Sequence, residues 1–104
     1  MLKKEFRLGK QDIERIYKKG TRHFQPPFLV RLLANRFNFN RYGVVIPKAV
    51  IAKATARNYL RRKIYILLKE QNTPGSRDYL ITLKEKTAFE DMAKTLKLFF
   101  IKVK

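Results

Sequence analysis

The chain has no cysteine and no tryptophan, four glycines, four prolines, one histidine and only 8 acidic residues among 104. Without cysteine there is no disulfide, no thiolate metal site and no Cys nucleophile, which fits a reducing cytoplasmic setting. No apolar run approaches the ~20 residues of a membrane span, and the opening MLKKEFRLGK lacks the apolar core of a secretory signal, so no membrane partner is expected. The one histidine, His23, has no second histidine or carboxylate cluster near it in sequence, as a general base would require. Asp78 and Asp91 are too few and too scattered for a two-metal nuclease centre, and no Gly-rich phosphate loop is present. These absences predict a chain with no catalytic residue and no metal ligand of its own.

What is abundant is positive charge. There are 25 Lys and Arg against 8 Asp and Glu, a net charge of +17 and a pI near 10.6. The hydrophobic fraction of 45% is that of an ordinary globular protein, so residues 1–104 are expected to form one domain with one core. Between Glu14 and Glu70 stand 14 Lys or Arg and not one acid. Such a field selects polyanions, and its clustering points to nucleic acid.

The charge centres on residues 48–70, KAVIAKATARNYLRRKIYILLKE. Lacking Gly and Pro, this stretch predicts a helix over 52–69. At 100° per residue Ala56, Leu60, Ile64, Leu67 and Leu68 form a stripe to be buried, while Arg57, Asn58, Arg61, Arg62, Tyr65 and Lys69 fall on the neighbouring arc. A solvated helix ordinarily interleaves Glu with Lys, because like charges three or four residues apart repel. Here that repulsion is left for an outside anion to neutralise.

The other elements follow in order. Residues 10–19, KQDIERIYKK, read as a helix ended by Gly20, with Ile13, Ile16 and Tyr17 on one face. Phe28–Ala34 reads as a strand after Pro26–Pro27, Asn35–Asn40 as a turn or hairpin loop, and Arg41–Ile46 as a strand closed by Pro47. His23 and its neighbours are left between loop and early strand. Gln71–Ser76 is a loop and Asp78–Leu83 a further strand. In the last helix Thr87 and Glu90 have the spacing of a capping box, and Phe89, Met92, Ala93, Leu96, Phe99, Phe100 and Val103 repeat at core spacing. Helix, two or three strands, helix, strand, helix makes an α+β sandwich of helices on one small sheet.

Tyr17, Phe24, Phe28, Phe37, Phe39, Tyr42, Tyr59 and Tyr65 are interleaved with the cations. Rings under bases and charge along the backbone are how single strands are held, although strand rings also alternate into cores. Arg31 interrupts an apolar strand, where an unpaired charge is not buried, so it is expected on an exposed concave face.

With these residues in view, the chain resembles the protein component of bacterial ribonuclease P over roughly residues 6–101. The most specific match is that family's basic "RNR" helix: Lys48, then Lys53-Ala54-Thr55-Ala56-Arg57-Asn58-Tyr59-Leu60-Arg61-Arg62. Arg41-x-Gly43 before Lys48, Asp12 to Tyr17 followed by Gly20, and Asp78-Tyr79 are similar to its other segments. The chain departs from the pattern at Tyr59 and Tyr65, where Arg is usual. It departs again at Ile13, where the first helix usually has an aromatic pair, and at Arg31, often Tyr. The resemblance implies a two-layer mixed sheet in the order αβββαβα with a left-handed βαβ crossover, against the right-handed norm. It also implies the partners, ribonuclease P RNA (one protein per RNA) and precursor tRNA. Lys48, Lys53, Arg57, Asn58, Arg61 and Arg62 would bind the catalytic RNA. Ile13, Tyr17, Leu29, Arg31 and Lys84 would line a cleft for the 5′ leader. The chain would then be a subunit of an endoribonuclease whose RNA, with its Mg²⁺, performs the hydrolysis.

Other classes remain. A ribosomal or other structural RNA-binding protein would need the basic helix but no single-strand cleft. A DNA-binding regulator would need a helix-turn-helix spacing, which is missing. A stand-alone nuclease would need the acid/base cluster that the chain lacks.

Overall fold

The computed structural model describes residues 3–71 and 75–102. After a short 3₁₀ turn at Lys4–Phe6, the order is α1 (Lys10–Lys19), β1 (Thr21–Gln25), β2 (Phe28–Ala34), β3 (Arg41–Val45), α2 (Ala54–Glu70), β4 (Arg77–Leu83) and α3 (Phe89–Lys102). The four strands form one mixed sheet in the order β1-β2-β4-β3. β1–β2 and β2–β4 are antiparallel, while β3 and β4 run parallel and are joined through α2. The α+β class expected from the sequence is the observed one.

Alternation along the strands divides the side chains between two faces. Phe28 and Val30 of β2, Tyr42 and Val44 of β3, and Tyr79, Ile81 and Leu83 of β4 point into the main core. There they meet Ile64, Tyr65, Leu67 and Leu68 of α2 and Met92, Leu96, Phe99 and Phe100 of α3. The α3 periodicity is therefore core, as its spacing indicates; Val103 lies outside the described residues. The opposite face carries Leu29, Arg31 and Leu33 of β2, Gly43 of β3, and Asp78, Leu80 and Thr82 of β4. Helix α1 packs on part of this second face through the fully buried Ile16.

Local chemistry sets several boundaries. Gly20 ends α1 with its N–H on the Ile16 carbonyl. Its backbone is extended (φ −72°), so the glycine is needed for space: a Cβ would lie 2.7 Å from the Ile16 oxygen. The resulting tight turn feeds β1, a strand only glimpsed in the sequence because TRHFQ is polar and lies exposed at the sheet edge. β1 and β2 form a hairpin across Pro26–Pro27, whose peptide bond is cis.

Two expectations need correction. Residues 35–40 are not a hairpin loop, because β4 lies between β2 and β3; the segment crosses the end of β4 instead. Asn35 organises it, accepting the Phe37 N–H at 2.9 Å and donating to the Phe39 carbonyl at 3.2 Å. The Thr87–Glu90 capping box does not form. Helix α3 begins at Phe89, the Ala88 carbonyl accepts the Met92 N–H, and the buried Thr87 Oγ1 has no partner among the described residues.

Candidate nucleic-acid interface

Two surfaces collect the residues singled out in the sequence. The first is the outer side of α2. Leu60, Ile64, Leu67 and Leu68 turn inward, which leaves Asn58, Tyr59 and Arg62 exposed, with Lys48 and Lys53 flanking the helix start. Lys53 is the N-cap residue, makes no side-chain cap, and is followed by no acid in the first turn. A positive helix end is thus loaded with cations rather than balanced by a carboxylate. Arg57 is half-buried and donates to the Ile51 and Ala52 carbonyls at 3.0 and 2.6 Å, so it holds the entry to the helix as well as adding charge. Arg61 donates to Asn58 Oδ1 at 2.7 Å.

Arg61, Arg62 and Asn58 line an open groove with Arg7, which sequence reading passed over. Arg7 forms an isolated bridge to Tyr42 beside edge strand β3, and its Nε is buried without a partner among the described residues. Only its place in the basic lead-in hinted at it. Tyr65, expected on the charged arc, is 7% exposed and belongs to the core. Its Oη accepts the Val44 N–H at 3.3 Å, satisfying a donor of β3, and burial raises its pKa. An arginine there would bury a charge and, having only donors, would leave the Val44 N–H without an acceptor. Tyr59, by contrast, is 62% exposed, with the Lys63 ammonium 5.3 Å from its ring centroid.

The second surface is the sheet face that α1 only partly covers. Ile13 and Tyr17, one turn apart on α1, overhang it. Leu29 and Arg31 alternate along β2, and Lys84 continues the same-face series Leu80, Thr82 at the end of β4, its N–H on the Pro27 carbonyl. All five expected cleft residues therefore lie on or over one face. Arg31 is not free in it: its guanidinium lies over the Tyr17 ring, 4.4 Å from the centroid. The floor includes Thr82, whose buried Oγ1 has no partner among the described residues.

The aromatic residues divide accordingly. Phe28, Tyr42 and Tyr65 are core, and Phe39 packs edge-on against Phe6. Phe37 is covered by the Arg41 guanidinium at 4.4 Å. Tyr17, Phe24 and Tyr59 keep large exposed areas among the cations. His23 lies edge-on to Phe99, on the core side of β1.

Two of the acids, Asp12 and Asp78, hold the scaffold. Asp78 is fully buried and accepts Arg41 Nε and Nη2 at 2.9 and 2.8 Å and Asn35 Nδ2 at 2.8 Å. Arg41 reaches on to Asp12 of α1 at 3.1 and 3.2 Å, and Arg15 contacts both carboxylates at 3.4 Å. This cluster ties α1 to the sheet beside the cleft. Burial pushes the Asp12 carboxyl up, but the Gly9 N–H, Arg41 and Arg15 outweigh it and hold Asp12 below its usual value. The hydrogen bond to Asp78 leads in raising Arg41, against burial and with help from Asp12. Two carboxylates already saturated by guanidinium groups do not fit a divalent cation. No group of three His, Cys, Asp or Glu is gathered among the described residues, and no described helix is long and apolar enough to cross a membrane.

Comparison with known proteins bears on the family and the fold. Residues 2–104 match the family model described as Ribonuclease P. The ribonuclease P protein component of a Synechocystis species is 34% identical over 79 residues, 72% of this chain and 64% of that protein. The Streptococcus pneumoniae component is 34% identical over 76 residues, covering 72% of this chain and 59% of its own length. The match thus spans less than two thirds of either relative. Among solved structures, the Thermotoga maritima ribonuclease P protein superposes with a TM-score of 0.80 at 22% identity, covering 94% of this chain and 97% of that one. The Staphylococcus aureus protein gives 0.80 at 22% identity, with 94% of each chain covered. The chain belongs to the ribonuclease P protein family.

Proposed function

We propose that this family member is the protein subunit of a ribonuclease P ribonucleoprotein, acting by binding rather than by chemistry. The outer side of α2, through Lys48, Lys53, Asn58, Arg61 and Arg62, with Arg57 bracing its entry, takes the phosphate backbone of the catalytic RNA. The open sheet face, with Ile13, Tyr17, Leu29, Arg31 and Lys84, takes the single-stranded 5′ leader of precursor tRNA. Hydrolysis, with the Mg²⁺ it requires, is left to the RNA.

The observation that carries this reading is the pairing of a basic helix, whose one acid is its last residue Glu70, with a separate, partly roofed face bearing an exposed ring and an arginine. Phosphates are met by cations, and splayed bases by flat π surfaces. A structural RNA-binding protein would need only the first of these. The stoichiometry of one protein per RNA and a cytoplasmic setting belong to the same proposal.

The test is reconstitution of a bacterial ribonuclease P RNA with this protein and precursor tRNA at low Mg²⁺. Leader removal should require both macromolecules and be faster than with RNA alone. Cleavage by RNA-free protein, or no stimulation of the RNA, rejects the proposal.

A further inference from the structure

Phe24 is an exposed ring that the reading above leaves unused. It lies on edge strand β1 and is 68% exposed, although a large apolar side chain on an open edge favours association with another chain. Its direction is set by register. His23 pairs with Val30 and turns toward α3, so Arg22 and Phe24 turn the other way, onto the face of Leu29, Arg31 and Lys84. Phe24 is directly opposite Leu29, and Arg22 directly opposite Arg31. Lys84 completes the setting, two residues beyond Thr82, the β4 partner of Leu29.

The rings on this face are not equivalent. Tyr17 has one side covered by Arg31, whereas no ring or cation packs on Phe24 among the described residues. Phe24 is a diagonal neighbour of Arg31, roughly 7–8 Å away across the strand pair, close enough for one strand to meet both. Neither β1 nor β2 contains an acid, so the two strands that carry and border the ring supply only cations, Arg22 and Arg31, as charged groups.

We infer that Phe24 is a base-stacking platform for the single strand, extending the cleft from Tyr17 and Arg31 across Leu29 to the edge of the sheet. This rests on the reading of that face as a leader cleft, and it names the residue that provides an unobstructed ring where Ile13 and Arg31 provide none. A single-stranded RNA is the occupant that fits, because the ring is bordered by Arg22, Arg31 and Lys84 and by no carboxylate of β1 or β2. A second copy of this chain would bring the same cations against themselves.

The test uses the full-length protein assembled with ribonuclease P RNA, measuring affinity for precursor tRNAs with leaders of increasing length and for mature tRNA at one salt. Phe24→Ala should lower the precursor-to-mature affinity ratio by about 5- to 150-fold, the range for one stacked base, but only once the leader is long enough to reach β1. Phe24→Tyr should retain the ratio, and Phe24→Leu, apolar but without a π face, should behave like the alanine variant. Assembly with the partner RNA and the thermal midpoint should be unchanged in all three. Wild-type discrimination that survives Phe24→Ala at every leader length overturns the inference alone. So does a wild-type dimer in sedimentation that Phe24→Ala dissociates. A wild-type complex that binds precursor and mature tRNA equally removes the cleft reading and this inference with it.

Discussion

The Arg31 guanidinium covers one side of the Tyr17 ring, 4.4 Å from its centroid, and so joins β2 to α1 across the cleft. Tyr17 remains 49% exposed, so the pair offers a composite flat surface of one ring and one cation rather than two independent contacts. Tyr17→Ala should weaken precursor binding to the assembled complex by ~1–3 kcal/mol, the value of one stacked base. Arg31→Ala should also weaken it, and the double variant should lose less than the sum. Mature tRNA binding should not move. Strict additivity, within ~0.3–0.5 kcal/mol, would show that the two act separately.

Affinity for the partner RNA should fall steeply with salt, since each neutralised phosphate releases counterions. Lys53→Ala and Arg62→Ala should each reduce the log–log slope by ~0.7–0.9 without loss of stability, both side chains being exposed. Arg57→Ala should flatten the slope and also lower the melting temperature, because the Ile51 and Ala52 carbonyls lose their donor. Lys102→Ala, at the end of α3, should do neither. Equal slopes for all four variants would mean diffuse charge rather than one helix side.

Tyr59→Arg should strengthen RNA binding. The position is exposed, with Arg62 and Lys63 one turn on, so added repulsion should cost the free protein only a few tenths of a kcal/mol. Titration of the partner RNA at fixed salt should show tighter binding and a steeper slope. An unchanged affinity would place the RNA on the other side of α2.

Removing Arg41 should be far more damaging than removing a surface cation. Arg41→Ala strips the fully buried Asp78 of its principal partner, a change of ~3–5 kcal/mol in denaturant titration. The same cluster gives an acid dependence. Because Asp12 titrates lower in the folded chain than in the unfolded one, its contribution is complete above the unfolded carboxylate value near ~3.9. It is lost as pH falls through the folded value. Stability should therefore drop below about pH 4, and less so in Asp12→Asn.

Tyr65→Phe should cost ~1–3 kcal/mol by leaving the Val44 N–H without its acceptor, with RNA affinity unchanged once folded. Tyr65→Arg should destabilise more, since it places a charge among Ile64, Leu68 and the sheet. A stable Tyr65→Arg protein with tighter RNA binding would mean that the side chain swings outward instead. On the alkaline side, burial pushes Tyr42 up to about 12. The unfolded tyrosine ionises first, so that contribution to stability fades between pH ~10 and ~12.

Local pattern carried much of this protein. The period of Ile13, Ile16 and Tyr17 with the stop at Gly20 defines α1, and the prolines ahead of an apolar run bound β2, so both elements run over the residues read from the sequence. The all-positive run from 15 to 69 marks a polyanion partner whatever the fold, because net charge survives any arrangement of the chain. Register and burial were decided elsewhere. The insertion of β4 between β2 and β3 depends on pairing energies between distant segments, which neither strand's sequence records. Tyr65 shares the angular sector of the arginines on a helical wheel, and only the closeness of α2 to β3 makes it core. Asp12, Arg41 and Asp78 come from three separate elements, so their cluster exists only once α1 lies on the sheet. Arg31, expected on an exposed face, is half-buried as the lid on Tyr17, and that was not legible because the contact joins a helix and a strand whose relative placement is a property of the packed whole.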